Sequence, residues 1–161
     1  MPFSQCGSLV PRIGDENVVA TAWERFLQDR PWSGGGVRDV VLDSWQRCRS
    51  EAVDPALRSA PGAASERLRQ LQWQNRDLCA AARPVLDGLR DILRECGTLI
   101  MLCDHSGTII DLNGETRARS VGEDINLATG GCWSEAVIGT NDIGTAIANA
   151  APVQIHASEI G

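Results

Sequence analysis

Hydrophobic positions near the start of the chain follow the 3.6-residue period of amphipathic helices. After a polar cluster at residues 14–17, the apolar residues of the first stretch are Val18, Val19, Ala22, Trp23, Phe26 and Leu27. Those of the second stretch are Val37, Val40, Val41, Trp45 and Cys48. Spacings of three and four residues place each set on one helix face. Because the proline- and glycine-rich residues 31–36 separate the two stretches, we predict two N-terminal amphipathic helices.

A longer apolar stripe runs through residues 68–96 at alternating spacings of three and four, the pattern of a heptad seam. Pro84 interrupts this stripe, and because proline inside a helix costs about 3 kcal/mol, it predicts a kink or a new helix start. Asn75 is polar at a seam position, where such a residue can set dimer register. The stripe predicts either a dimer interface or packing within the chain against the faces of Trp23 and Trp45.

Beyond Gly97 the pattern changes from helical to β-like. Leu99–Cys103 is a dense apolar run, and residues 108–112 form a second one. The residues between them are typical of a turn, since the Asp104 side chain can bond its own backbone and Gly107 can adopt positive φ. These two stretches therefore predict a β-hairpin with a four-residue loop.

The remaining residues predict one more helix and one more strand. Residues 113–131 are polar and are interpreted as irregular. Asn141 suits the N-cap of a helix that ends before Pro152, and residues 153–157 alternate as a third strand. Helices come first and the hairpin, helix and strand later, so the predicted fold class is α+β.

Composition excludes several classes of function. The chain has 161 residues and a formal net charge of −6, which disfavours a nucleic-acid interface, since that requires a basic surface. All of its basic residues apart from two histidines are arginines. Without lysine, P-loop, Schiff-base and pyridoxal chemistries are excluded. Length and composition agree with one ordinary domain or one domain with a helical extension.

Nothing in the sequence predicts a membrane or secreted protein. The longest apolar run, Leu99–Cys103, is far shorter than the roughly 20 residues of a membrane-spanning helix. The start of the chain resembles no secretory signal, so we expect a cytoplasmic protein with no membrane partner. The six cysteines are scattered and are expected to be free thiols: Cys6, Cys48, Cys79, Cys96, Cys103 and Cys132.

Two clusters resemble catalytic or metal sites but favour simpler interpretations. Residues 104–106 (Asp-His-Ser) contain the residue types of a hydrolase triad, yet adjacent residues in a turn cannot form one relay, so the turn is favoured. The residues that suggest a metal site lack paired close ligands and are Cys103, His105, Cys132 and His156. We therefore predict no catalytic residue, no metal and no cofactor.

Two further stretches suggest a binding site. Residues 139–145 are glycine-rich at a helix start, where free N–H groups can bind a polar ligand, although for Asn141 alone helix capping is the favoured interpretation. Residues 133–135 place an aromatic ring, a hydroxyl and a carboxylate side by side. Small-molecule pockets combine apolar walls with a few polar groups of these kinds. A core tryptophan next to a surface glutamate would give the same three residues in sequence, so the binding-site interpretation is not required.

Three blocks in order resemble a known family. The first is residues 44–48 (Ser-Trp-Gln-Arg-Cys) with 53–55 (Val-Asp-Pro), and the second is residues 82–86 followed by the hairpin. The third comprises residues 133–135 (Trp-Ser-Glu), 139–141 (Gly-Thr-Asn), 143–146 and 152–155. Together they resemble the N-terminal GAF sensor region of acetoin-catabolism-type activators, which are sigma-54-dependent transcription regulators. The resemblance covers residues 37–159.

This resemblance implies a fold and a domain division. The fold would consist of N-terminal amphipathic helices followed by a partial GAF-like antiparallel sheet with flanking helices. Residues 1–62 would form an N-terminal helical region. Residues 63–161 would form a GAF-like sensor domain with a lead-in helix, incomplete at its C-terminal end. The free side of the strand Leu99–Cys103 would then carry unpaired backbone groups.

The resemblance also implies a function. The chain would be a non-enzymatic signal-input module without the ATPase and DNA-binding parts of the regulator, responding to a small-molecule effector. Its partner would be a second copy or a related regulator chain. The candidate ligand-binding residues are Trp133, Ser134, Glu135, Thr140 and Asn141. The alternatives are a stand-alone dimerisation or interaction protein and, third, a small redox or metal protein.

Overall fold

The structure, a computed structural model, describes residues 16–93 and 97–160, in which seven α-helices and one β-hairpin are joined by loops. The helices are α1 (Glu16–Leu27), α2 (Asp39–Ser50), α3 (Ser65–Gln74), α4 (Arg76–Leu93), α5 (Thr116–Glu123), α6 (Glu135–Ile138) and α7 (Asp142–Asn149). The strands are β1 (Leu99–Cys103) and β2 (Ile109–Gly114), and a short 3-10 helix covers Ala157–Glu159. The predicted α+β class is confirmed.

The first hydrophobic core joins α1 and α2 to the end of the chain. Its buried members are Val19, Ala22, Val41, Trp45 and Ile155. The Trp23 and Trp45 rings lie 4.9 Å apart, and Phe26 packs against both. The apolar stripes predicted for the first two helices are therefore the faces that form this core.

The predicted hairpin is confirmed. Strands β1 and β2 pair antiparallel, with Leu99 opposite Gly114 and Leu102 opposite Asp111. Asp104 Oδ1 accepts hydrogen bonds from the backbone N–H groups of Ser106 (2.9 Å) and Thr108 (3.0 Å), which holds the connecting loop. His105 is exposed at this turn. Residues 104–106 therefore form a turn, as the sequence analysis favoured.

Helices α3 and α4 cover the hairpin, and the break between them lies at Asn75. Asn75 has φ of −101° and ψ of 17°, which ends α3, and its side-chain amide donates to the Leu71 carbonyl (2.9 Å). Of the two outcomes predicted for Pro84, a kink or a new helix start, the new start is wrong, because α4 continues through Pro84. The break falls at the asparagine because its side chain competes for backbone hydrogen bonds.

The apolar stripe of α3 and α4 packs within the chain, but not where we predicted. Both helices pack on β2, and Gln72 donates to the Ile110 carbonyl (2.9 Å). The expectation that the stripe packs against Trp23 and Trp45 is wrong, because these rings belong to the α1–α2 core. Two stripe residues of α4 stay largely exposed, Leu78 at 43% and Val85 at 63%. Cys96 lies outside the described residues.

Two other local predictions are also wrong. Residues 116–123 form α5, although the sequence pattern there is irregular. The third strand predicted at residues 153–157 is absent from the described chain; this segment is extended and leads into the 3-10 helix. Its backbone bonds to side chains instead of to a strand: Ile155 N–H donates to Asp142 (2.6 Å), and the Gln154 carbonyl accepts from Arg38.

A loop from the first half of the chain joins the second half. Ala60 N–H donates to the Ile125 carbonyl (3.1 Å), Ala63 N–H to the Gly130 carbonyl (2.8 Å), and Cys132 N–H donates to the Pro61 carbonyl (2.9 Å). Backbone pairing therefore crosses the predicted boundary between residues 62 and 63.

No helix in the described ranges has the length and hydropathy required to span a bilayer.

Candidate functional site

A polar cluster, formed by Ser44, Arg47, Glu135, Thr140 and Thr145, joins α2 to residues 135–160, which we call the C-terminal block. Glu135 is its centre: one carboxylate oxygen accepts from the Ser44 hydroxyl and from the Thr145 hydroxyl (2.8 Å). Ser44 Oγ also lies 2.7 Å from Thr140 Oγ1. The cluster therefore connects residues about ninety positions apart in the sequence.

A forked ion pair completes this cluster. Arg47 Nε donates to Glu135 Oε2 (2.6 Å) and Arg47 Nη2 to Glu135 Oε1 (3.1 Å). Burial raises the pKa of the Glu135 carboxyl, but the hydrogen bonds from Arg47, Ser44 and Thr145 outweigh burial and lower this pKa below its usual value. Glu135 is therefore a buried carboxylate that is satisfied in its charged form.

The Ser-Trp-x-Arg-Cys motif is explained by these contacts. Ser44 and Arg47 bind Glu135, and Cys48 Sγ lies 3.7 Å from the Glu135 carbonyl oxygen. Trp45 fills the core, and its indole N–H donates to the Glu159 carbonyl (3.3 Å). Four of the five motif residues thus face the C-terminal block, whereas Gln46 is exposed.

A second ion pair holds the other end of α2. Arg38 Nε donates to Glu159 Oε1 (2.8 Å), and the His156 backbone N–H donates to Glu159 Oε2 (2.9 Å). Burial raises the pKa of Glu159, but the hydrogen bonds from Arg38 and His156 outweigh burial and hold this pKa below its usual value. Both ends of α2 are therefore bound to glutamates of the second half of the chain.

These two glutamates predict loss of stability in acid. Their folded-state pKa values are lowered, so the stabilisation is present above the unfolded glutamate pKa of about 4.3 and is lost as pH falls through the folded values. Urea unfolding monitored by tryptophan fluorescence, at pH values from about 7 down to about 2.5, measures this loss. The double variant E135Q/E159Q should show a weaker pH dependence, and an unchanged one would contradict the assignment.

Three of the five predicted ligand-binding residues line one cavity of about 390 Å³, which we call the Trp133 cavity. They are Trp133, Thr140 and Asn141, and the lining also includes Trp23 of α1 and Ile160. Its size and largely apolar wall suit a small organic molecule. Sequence spacing alone could not place Trp23 there.

Asn141 also has a structural role in this cavity wall. Its Oδ1 accepts from the Gly144 N–H (2.9 Å), and its Nδ2 donates to the Gly139 carbonyl (2.7 Å). Asn141 is therefore the N-cap of α7, as the sequence predicts. Its side-chain hydrogen bonds are already used within the chain.

Ser134 and Glu135 lie apart from the Trp133 cavity. Both line a different groove of about 360 Å³, together with Arg47, His105 and Ser106. The structure thus separates the Trp-Ser-Glu motif: the ring faces one cavity and the carboxylate faces α2. Ser44, Arg47 and Thr145, which hold Glu135, were not predicted as site residues, although the motif contains the first two.

The cysteines and histidines do not form a metal cluster in the described residues. Cys48, Cys79, Cys103 and Cys132 are free thiols. Burial, with a smaller effect from Asp104, raises the pKa of the Cys103 thiol to about 11. Cys103 is therefore a protonated thiol near neutral pH, which makes it a poor nucleophile and metal ligand.

The sequence matches the family described as "MimR, N-terminal domain" over residues 17–160. The chain belongs to this MimR N-terminal domain family. The match includes the motif residues of α2 and the Glu135 and Asn141 block, so the members of the polar cluster all lie inside the family region. This family match confirms the resemblance to the N-terminal region of acetoin-catabolism-type activators that the sequence motifs indicated.

Transcription activators are among the relatives of this MimR N-terminal domain. The acetoin dehydrogenase operon transcriptional activator AcoR of Bacillus subtilis (strain 168) is 33% identical over 138 residues, covering 85% of this chain and 23% of AcoR. The propane 2-monooxygenase operon transcriptional activator MimR of Mycolicibacterium goodii is 32% identical over 152 residues, covering 92% of this chain and 25% of MimR. The chain thus spans about a quarter of the length of these curated relatives.

A solved structure shares the fold. A chain in the crystal structure of the E. coli DhaR(N)-DhaL complex superposes with a TM-score of 0.70 at 15% sequence identity, covering 76% of this chain and 42% of that chain. This likeness confirms the predicted architecture of N-terminal helices followed by a GAF-like antiparallel sheet with flanking helices. The chain is therefore similar to transcription activators in sequence and to this solved chain in fold alone.

Proposed function

We propose that this chain is the effector-binding input of a cytoplasmic transcription activator, without catalysis of its own. The observation that carries this proposal is the position of Thr140. Thr140 lines the Trp133 cavity, and its hydroxyl lies 2.7 Å from Ser44 of α2. Thr140 is buried between this cavity and Ser44, so a molecule that packs against this part of the wall is separated from α2 by one hydrogen-bonded side chain.

The proposed effector is a small organic molecule. A cavity of about 390 Å³ is within the usual size range of small-molecule pockets. Two relatives are named as activators of the acetoin dehydrogenase and propane 2-monooxygenase operons, and both names refer to small organic compounds. We propose that this chain responds to a compound of similar size, bound in the cavity lined by Trp133, Thr140 and Asn141. Ser134 and Glu135 lie outside this cavity, and Glu135 is linked to Thr140 through Ser44.

Calorimetry with small alcohols, ketones and diols tests the proposal. We expect saturable binding of at least one of them, and the Trp133→Leu variant should lose it because the indole forms the cavity wall. Trp73→Leu is the matched control, since Trp73 is 70% exposed on α3 and lies outside the cavity lining. Equal binding by wild type and Trp133→Leu would contradict the site.

The second candidate function is a dimerisation or interaction module. The exposed Leu78 and Val85 lie seven residues apart on α4 and form an apolar face open to a second copy or a related regulator chain. The absence of binding heat in calorimetry with every compound, together with a stable dimer in sedimentation, would favour this candidate.

The division into residues 1–62 and 63–161 stays a prediction, and we propose it as a functional boundary.

A further inference from the structure

The lining of the Trp133 cavity contains a single charged side chain among the described residues, that of Arg58. Apart from Thr140 and Asn141, the rest of this lining is apolar or aromatic. A cation at the edge of an apolar wall complements a ligand that has an apolar body and one negative charge. On the basis of the proposed effector-binding function, we propose that the effector is a small organic carboxylate whose charged group binds Arg58.

The Arg58 guanidinium is held at the cavity by its own loop, although the side chain is exposed to solvent. Its Nη1 group donates to the carbonyl oxygens of Pro55 (2.9 Å) and Leu57 (3.1 Å). Both of these residues also line the cavity, so the two hydrogen bonds keep the guanidinium at its rim. Because the group is ordered before a ligand arrives, binding costs less side-chain entropy than at a mobile surface arginine.

The remaining edge of this guanidinium matches a carboxylate. While Nη1 is engaged, the Arg58 Nε–H and Nη2–H groups donate no hydrogen bond to any residue that the structure describes. Nor does Arg58 form an ion pair within residues 16–93 and 97–160. Two parallel N–H donors on one planar edge bind both oxygens of a carboxylate. A phosphate would place additional charged oxygens against the apolar wall, which is unfavourable.

Three other polar side chains of the lining already have partners within the chain. The Trp133 indole N–H donates to the Asn126 carbonyl oxygen (3.2 Å), and Thr140 Oγ1 lies 2.7 Å from Ser44 Oγ. The Asn141 side chain is used as the N-cap of α7. The free edge of the guanidinium is therefore the polar group of the wall that is best placed to select a ligand.

The positive charge at the rim is not cancelled by the lining itself, since none of the described lining residues is acidic. Asp54 is the acid closest to Arg58 in sequence, and its Oδ1 accepts a hydrogen bond from a backbone N–H of its own loop (2.8 Å). Glu159 lies in the 3-10 helix beside the cavity, but its carboxylate is bound to Arg38 (2.8 Å). The lining thus carries one net positive charge, although the formal net charge of the whole chain is −6.

Calorimetry with sodium hexanoate and its uncharged analogue hexanamide tests the proposal on the unmodified chain. We expect hexanoate to bind at one site about tenfold more tightly than hexanamide, because the two differ in charge but hardly in size. Raising the NaCl concentration from about 0.05 M to about 0.5 M should weaken hexanoate binding and change hexanamide binding little, since salt screens an exposed charge pair. Equal binding of the two compounds, or tighter binding by hexylamine or inorganic phosphate, would overturn the proposal.

Variants assign the charge preference to one residue. Arg58→Gln should reduce hexanoate binding to the level of hexanamide, because the new side chain carries no charge. Arg67→Gln is the matched control: it removes the same charge from an exposed position of α3 outside the cavity lining and should bind hexanoate as the wild type does. Trp133→Leu should lose both ligands, which share the apolar wall. A preference for hexanoate that persists in Arg58→Gln would contradict the assignment.

The effector site and its preference for carboxylates can fail separately. Binding of alcohols, ketones or diols that is lost in Trp133→Leu, with hexanoate binding no more tightly than hexanamide, would support the effector site and overturn the carboxylate proposal. The absence of binding by every compound, hexanoate included, would overturn both.

Discussion

Glu135→Ala is expected to lower the free energy of unfolding by about 3 kcal/mol, a large part of the stability of an ordinary domain. The substitution removes the acceptor of Arg47, Ser44 and Thr145 at once. The two hydroxyls are buried and lose their charged acceptor, while Ser44 keeps Thr140 as a neighbour at 2.7 Å. Arg47 is 37% exposed and regains water, which keeps the loss near the lower end of the range for buried pairs.

Urea unfolding monitored by tryptophan fluorescence measures this effect. Glu24→Ala on the exposed face of α1 is the matched control and should change stability little. A double-mutant cycle between Arg47→Ala and Glu135→Ala should give a coupling energy well above the roughly 0.5 kcal/mol expected of independent sites. A stability loss no larger than that of the control would show that the cluster does not hold α2.

Gly107→Val is expected to destabilise the fold by about 3 kcal/mol or more. Gly107 has φ of +80°, a conformation that β-branched residues resist. A Cβ atom there would also lie 2.8 Å from the Ser134 backbone nitrogen and 3.0 Å from its Cα. Because the obstacle is backbone of the Trp-Ser-Glu segment, the clash cannot be relieved by rotating a side chain.

Gly88→Ala is the control for Gly107→Val. Gly88 lies inside α4, and a Cβ there meets no other atom within 4 Å. Alanine should stabilise that helix by about 0.5–1 kcal/mol, because glycine is the poorer helix former. Thermal unfolding followed by circular dichroism compares the two variants. An unchanged melting temperature for Gly107→Val would mean that the turn does not require glycine.

Local sequence signals predicted the elements that need only neighbouring residues. The stripes of α1 and α2, the turn at Asp104 and Gly107, and the Asn141 cap each depend on a few positions close in the chain. Their spacing or turn chemistry is visible in the sequence because the same residues make the interactions. The three motif blocks likewise predicted the family before any contact was known.

Other features depended on which long-range contacts form. Helix α5 has few apolar residues, and its most hydrophobic side chain, Val121, is 66% exposed, so its sequence has little helical periodicity. Residues 153–157 alternate like a strand, yet side chains from other elements satisfy their backbone. The heptad pattern could not distinguish a dimer from the hairpin, since both present an apolar surface to the same helix face.

The sequence by itself determined the helical faces, the hairpin turn and the family of this protein, because periodicity, turn residues and motif order are properties of short segments. Only the tertiary structure decided what the motif residues do. Ser44 and Arg47 meet Glu135 across about ninety residues, and Trp23 joins Trp133 around a cavity. Partners so far apart in the chain are selected by packing, which no local pattern records.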